Sequence, residues 1–260
     1  VGVREEFRLA AEEAARRGGA VVRSRFHQTR TVAFKGRIDL VTDADRAAEE
    51  AILGFLRGEF PSHDIVAEES QAAAAGAEYR WYVDPLDGTT NYAHGVPHFC
   101  VSVGVTGRDG MVAGAVYQPL LDEMYSAASG AGATLNGERI AVSTRTPLSQ
   151  SLVATGFPYD VWTRPDPPVR LFTLALGKAR GVRRFGAAAL DLAYVACGRF
   201  DAYFELGLFP WDVAAGSLIV TEAGGRVGDI GGGPLDLGGR EILASNGLLH
   251  PELTALFALR

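Results

Sequence analysis

Apolar residues recur at helical spacing over residues 3–26, where Val3, Phe7, Ala10, Ala14, Val21, Val22 and Phe26 share a face. The Gly18-Gly19 pair is expected to weaken the middle of that helix. A second amphipathic helix opens at Thr42-Asp43-Ala44-Asp45 and carries Ala48, Ile52, Phe55 and Leu56 on one face, behind a polar loop at residues 34–39. Short β-type runs follow at 64–67, 81–84, 99–105, 111–117 and 123–127. Gly107-Arg108-Asp109-Gly110 predicts a hairpin turn between two of them, and Asn136-Gly137 is a further turn signal. From about Ser151 the texture changes to strands at 152–155, 200–205, 225–229 and 242–244, alternating with helices at 169–177, 187–197, 212–223 and 251–259. A meander followed by alternation predicts an α+β N-terminal lobe, residues 1–147, packed on an α/β C-terminal lobe, residues 148–260. Pro147 and Ser149-Gln150-Ser151 mark the join, and a ligand site is expected between the lobes.

Composition narrows this picture without redirecting it. The 260 residues are 47% hydrophobic and 22% charged, which is globular rather than disordered. A net charge of −6 argues against binding nucleic acid or an anionic membrane by bulk electrostatics. It also means that an anionic substrate needs a local source of positive charge. Cys100 and Cys197 each lie in an apolar run and are expected to be reduced, which suits a cytoplasmic protein. The N-terminus, Val1-Gly2-Val3-Arg4-Glu5-Glu6, is acidic where a secretory segment would be apolar. The uncharged stretch 88–107 holds Asn91, His94, Pro97 and His98, so it does not predict a membrane span. Beyond the short alanine run at 72–75 there is no low-complexity tract and no internal repeat.

The densest chemical signal is Trp81-Tyr82-Val83-Asp84-Pro85-Leu86-Asp87-Gly88-Thr89-Thr90. An apolar strand delivers Asp84 at its end, and Pro85 is expected to stop the ladder and force a turn. Both carboxylates and the Leu86 carbonyl can then face one point, and Gly88-Thr89-Thr90 opens a helix whose amides and hydroxyls suit a phosphate. Read blandly, Asp87 is simply an N-cap. Glu68-Glu69 ends the run Ile65-Val66-Ala67, and Asp212 follows Trp211 at the start of an apolar helix. Asp45 follows Thr42 by three residues, as in a capping box. Each acid has an ordinary structural role available; together they sit where α/β proteins build sites.

Several carboxylates at one locus repel one another unless a cation neutralises them. Oxygen donors without a thiolate or imidazole set suit Mg²⁺ or Mn²⁺ rather than zinc. His94 and His98 have Pro97 between them, which spoils a helical ligand pair, so they are read as structural or as supporting the ligating residues from behind. Divalent ions would let an acidic protein hold a dianionic phosphate and clamp both oxygens of a phosphoryl transfer. Other phosphatase chemistries find no footing. Neither cysteine heads a Cys-x₅-Arg loop, the Asp84/Asp87 pair lacks the Asp-x-Asp-Gly-Thr spacing of aspartyl-phosphate enzymes, and no Gly-x₄-Gly-Lys-[Ser/Thr] loop occurs.

Asp84-Pro85-Leu86-Asp87-Gly88-Thr89-Thr90-Asn91, preceded by Glu68-Glu69-Ser70 and followed by Trp211-Asp212-Val213-Ala214-Ala215-Gly216, resembles the inositol monophosphatase family. Asp39 to Asp45, Gly186 to Asp191 and Thr221-Glu222-Ala223-Gly224-Gly225 extend the likeness over nearly the whole chain. The resemblance implies a layered α/β/α/β/α sandwich and a Mg²⁺-dependent phosphomonoesterase with two or three ions per subunit, Mn²⁺ being a possible substitute. It implies that Glu68, Asp84 and the Leu86 carbonyl hold one ion, and Asp84, Asp87 and Asp212 a second. Glu68 and Thr89 would activate water, with Asp45 polarising Thr89. The Gly88 and Thr89 amides would bind phosphate, Glu205 a substrate hydroxyl, and Gly186, Ala187 and Ala188 would line that pocket. Asp87 thus touches the substrate side as well, and Lys35 matches a lysine near the metals. Direct attack by water, inhibition by lithium and a homodimer are also implied. Ala67 replaces a usual glycine, while Phe209-Pro210 and Gly156-Phe157-Pro158-Tyr159 resemble the bacterial branch. The expected substrates are inositol monophosphates. Alternatives are fructose 1,6-bisphosphate, histidinol phosphate, NADP or another nucleotide or sugar phosphate, and, in a different class, a regulatory role beside the transcription machinery.

Overall fold

The computed structural model describes residues 2–28, 32–34, 40–70 and 76–259. Lys35, Asp39 and the alanine run 72–75 lie outside them. Helix α1 (Val3–Arg25) is followed by a hairpin of β1 (Val32–Phe34) and β2 (Leu40–Thr42), and then by α2 (Asp43–Glu59). The capping box forms: Thr42 Oγ1 accepts from the Ala44 amide at 3.2 Å, and the Asp45 carboxylate accepts from the Thr42 amide at 2.8 Å. The glycine pair in α1 does not break it. A Cβ at Gly18 would stand 2.6 Å from Ile52 Cδ1, and one at Gly19 would strike the Tyr117 ring, so the pair lets α1 settle against its neighbours.

Seven strands form the first large sheet, in the order they occur: β3 (Asp64–Ala67), β4 (Arg80–Asp87), β5 (Cys100–Gly107), β6 (Gly110–Gln118), β7 (Glu123–Ala128), β8 (Gly132–Leu135) and β9 (Glu138–Arg139). The short helix α3 (Thr89–Ala93) leaves β4. Pro85 does not end β4; the strand runs on to Asp87 with a register shift between Asp84 and Asp87 against β5. A bulge leaves one residue unpaired, so the missing proline N–H costs no ladder bond. Asn136-Gly137 makes the β8–β9 turn, both residues at positive φ. Those two strands were not expected, since two to four residues of mixed polarity carry no readable period.

The second sheet is built from β10 (Leu152–Thr155), β11 (Gly181–Arg183), β12 (Ala202–Leu206), β13 (Arg226–Gly228) and β14 (Glu241–Ser245), in the order β11-β10-β12-β14-β13. Its helices are α4 (Pro168–Leu176), α5 (Ala188–Ala196), α6 (Pro210–Glu222) and α7 (His250–Phe257). The first three strands in that order pair in parallel, whereas β14 runs antiparallel to both neighbours. The layers run α1 and α2, seven-stranded sheet, α5 and α6, five-stranded sheet, α4 and α7. That is the five-layer sandwich. Being in the middle explains two sequence features. Residues 100–105 of β5 are all buried, because the sheet is covered on both faces and strict alternation is unnecessary. Helix α6 is apolar almost all round, and it approaches the sheet so closely that a Cβ at Gly114 would stand 2.8 Å from Ala215 Cα.

Candidate active site

The Asp84 carboxylate, 2% exposed, accepts from the Leu86 amide at 2.9 Å across the bulge. Asp87 was weighed as the cap of α3, but Gly88, at φ +93°, occupies that place. Asp87 instead reaches across the molecule to the start of α5. Its carboxylate accepts from the Ala188 amide at 3.1 Å and the Ala189 amide at 2.7 Å, amides for which Ala187 offers no side-chain cap. Asp212 accepts from the Phe209 amide at 2.7 Å and so completes the first turn of α6. Glu68 immediately follows β3, with its amide bonded to the Val83 carbonyl at 3.1 Å. Asp87 and Asp212 thus satisfy the first amides of α5 and α6 with the same carboxylates that the sequence marks as candidate ligands.

A cavity of about 620 Å³ opens between the two sheets. Its lining includes Glu68, Asp84, Leu86, Asp87, Gly88, Thr89 and Asp212, which we call the floor, and Gly186, Ala188 and Glu205, which we call the wall; the bond from the Ala188 amide to Asp87 joins the two. Asp45 and Ala187 do not line it. Ala187 is 1% exposed, turned inward where α5 begins, and Asp45 is fully buried behind Thr89. The Thr89 hydroxyl stands 3.0 Å from Asp45 Oδ1 and 3.0 Å from the Leu86 carbonyl.

Burial drives the electrostatics. It pushes Asp84 well above the usual carboxylate range, and the charges of Glu68, Asp87 and Asp212 push it further. Asp212 is raised well above that range by burial and by Asp87, Glu68 and Glu205, against the lowering effect of the Phe209 amide. Asp87 rises only to about 6, because burial is opposed by the Ala189 and Ala188 amides and the Cys100 thiol. Asp84 and Asp212 thus each feel the charges of Glu68 and Asp87 in addition to their own burial. Among the described residues no three His, Cys, Asp or Glu side chains stand gathered around one point as metal ligands. The acids ring the cavity instead, mutually repelling and all oxygen donors, which is the chemistry that a hard divalent cation relieves.

The wall is different in kind. Glu205 rises to about 8 through burial, opposed by a hydrogen bond from the Tyr203 hydroxyl. Tyr203 and Glu205 stand two residues apart on β12, so they share a face. A Cβ at Gly156 would land on the Glu205 carboxylate. Neither Tyr203 nor Gly156 was singled out as supporting Glu205; the i, i+2 spacing could have flagged the tyrosine, but no local signal points to the glycine. Arg184 and Arg240 also line the cavity. Arg240 is committed to the Gly207 carbonyl at 2.9 Å and to the Phe209 ring, its Cζ 4.4 Å from the centroid. His94 and His98 are absent from the lining, in keeping with a structural role.

A profile described as the inositol monophosphatase family matches residues 3–259. The chain is similar to an inositol-1-monophosphatase of Synechocystis sp., 46% identical over 250 residues that cover 95% of this chain and 87% of that one. It is similar to the Nus factor SuhB of Pseudomonas aeruginosa, 46% identical over 213 residues, covering 80% of this chain and 79% of that one. Among solved structures, an inositol monophosphatase from Anabaena (Nostoc) sp. superposes with a TM-score of 0.90 at 43% identity, over 98% of this chain and 96% of that one.

Proposed function

The chain belongs to the inositol monophosphatase family, whose members are metal-dependent phosphatases, and from that premise we propose that it hydrolyses inositol monophosphates with magnesium. The observation that carries this reading is the convergence of Glu68, Asp84 and Asp87 with Asp212, brought from the central helix α6, on one cavity. Glu68, Asp84, Asp87, Asp212 and the Leu86 carbonyl would hold two or three Mg²⁺, or Mn²⁺ in their place. When bound, such ions neutralise the phosphate and lower the pKa of water.

The chain's own residues do the rest. The Thr89 hydroxyl, held between Asp45 and the Leu86 carbonyl, orients the attacking water with Glu68. The Gly88 and Thr89 amides receive phosphate oxygens. Glu205 receives a hydroxyl of the polyol, beside the Gly186 to Ala188 segment. Residues 1–147 thereby supply most of the hydrolytic floor, and residues 148–260 supply Asp212 and the wall that chooses the alcohol. Membership of the family implies direct attack of water on phosphorus; the absence of cysteine from the lining, with Cys100 raised by burial, is consistent with that by leaving no thiolate nucleophile. We take the working unit to be a homodimer. Two free cysteines, Cys100 and Cys197, support a reducing compartment such as the cytoplasm. No helix among the described residues is long and apolar enough to cross a membrane.

The test is phosphate release across a panel of esters with Mg²⁺ and with chelator. Magnesium-dependent release, fastest from inositol monophosphates, is expected; equal rates on fructose 1,6-bisphosphate, histidinol phosphate and NADP would defeat the substrate assignment. The 46% identity to a Nus factor favours a second, regulatory reading beside the transcription machinery. Rescue of a deletion phenotype by an inactive Asp84→Asn protein would establish that reading.

A further inference from the structure

Two buried polar atoms face each other at the foot of α5, close enough to the floor to act on Asp87. His98 Nε2 and Asp191 Oδ1 are 3.4 Å apart, with the side chains 12% and 1% exposed. At this spacing neither atom makes a hydrogen bond, to the other or to any third group. Leaving a buried donor or acceptor unpaired is costly, so two such atoms are tolerable only as each other's partner. The surroundings hold them in place. The His98 ring lies 4.7 Å from the Phe185 ring and 5.8 Å from that of Tyr194, centroid to centroid. Beside them, Asn91 Nδ2 donates to the His98 carbonyl at 2.8 Å and to the Phe185 carbonyl at 2.7 Å, tying the same segments together.

The position of the pair gives it a consequence. Asp191 lies in the first turn of α5, the helix whose amides at Ala188 and Ala189 grip Asp87. Phe185 directly precedes Gly186 on the cavity wall. The charged groups acting on the pair are Asp87 on His98 and Arg184 on Asp191. Asp191 in turn acts on Asp87 and on Glu205.

We propose that His98 and Asp191 are a positioning pair: the His98 Nε2 hydrogen is donated to Asp191 Oδ1, fastening α5 to the segment before β5 and so holding the Ala188 and Ala189 amides on Asp87. The bond itself is a property of the folded chain; its effect on turnover rests on the function proposed above. Hydrogen exchange in metal-free protein reads it directly. His98→Leu should speed exchange at Ala188 and Ala189 by at least about tenfold, with α7 amides unchanged. His98→Gln, which keeps a donor, should stay within about threefold of wild type. The same contrast is expected in the Mg²⁺ concentration that half-saturates phosphate release.

If His98→Leu and His98→Gln behave alike at those amides, the proposal is overturned. A ¹⁵N-histidine spectrum of the wild type, which does not depend on either variant folding, should show a slowly exchanging His98 Nε2 proton that is lost in Asp191→Leu. Absence of that proton in the wild type overturns the proposal as well. A wild type that shows the exchange contrast but releases no phosphate supports the pair and refutes the enzymatic reading instead.

Discussion

The floor and the wall of the cavity both carry buried carboxylates raised above their usual range, yet they are raised in unlike company. On the floor, Asp84 is pushed by Glu68, Asp87 and Asp212, all of its own sign. On the wall, Glu205 has a donor of its own in Tyr203 and a glycine that clears its space. The floor's repulsion is relieved only by something that arrives from outside, and a divalent cation is the hardest and most compact relief. The wall's acid is pushed by Asp191 and Asp87 as well, but the Tyr203 hydroxyl and the Arg184 charge oppose that push from within the protein. On the function proposed, hydrolysis and choice of alcohol are separable, because β4 holds Asp84 and Asp87 while β12 of the other sheet holds Glu205.

The largest effect that would break this comparison comes from Asp84→Asn. Turnover should fall about a thousandfold or more, while the melting temperature in chelator rises, because one of the repelling charges is gone. Phosphate release and thermal melts check both; a melting temperature that falls would mean the floor is no strained cluster. Next comes Gly114→Ala, whose Cβ would stand 2.8 Å from Ala215 Cα and lift α6, with Asp212, from the sheet. Overpacking of this kind costs about 1–3 kcal/mol, read by urea unfolding, and the Mg²⁺ requirement should rise with it.

Glu205→Gln sharpens the contrast from the other side. It should slow polyol phosphates by up to about tenfold while leaving an aryl phosphate within about threefold. A uniform loss across substrates would place Glu205 with the floor. The smallest expected effect is one of pH. In the folded protein Glu205 keeps its proton to about 8, whereas the unfolded chain has lost it near the ordinary value of 4.5. The folded state thus binds the extra proton, and stability declines as pH rises through 8. His63, His98 and His250 are lowered by burial, so between about pH 7.5 and 8.5 they are almost wholly neutral in both states and add little opposing slope. Melting in chelator should fall over that range, and Glu205→Gln should flatten the fall.

The long amphipathic segments were legible because α1 and α2 each bury one stripe against one sheet, and a 3.6-residue period survives in the sequence. Residues 152–155 and 64–67 were legible for the same kind of reason. β8, β9 and β11 were not, being two to four residues long and held by their neighbours rather than by their own pattern. The course of the chain through Pro85 was misread, because a bulge is a property of two paired strands and only one of them contains the proline.

Asp84, Asp87 and Asp212 announced themselves by spacing, since strand ends and helix starts write a local signature into a chain. What no local signature contains is their meeting. Asp87 finds Ala188 and Ala189 more than a hundred residues away, and Gly156 matters only because β12 brings Glu205 beside it. Local backbone preference acts over a few residues and is written in order along the sequence. Coulomb repulsion, burial and steric room act through space, and only the folded sandwich determines which side chains share that space.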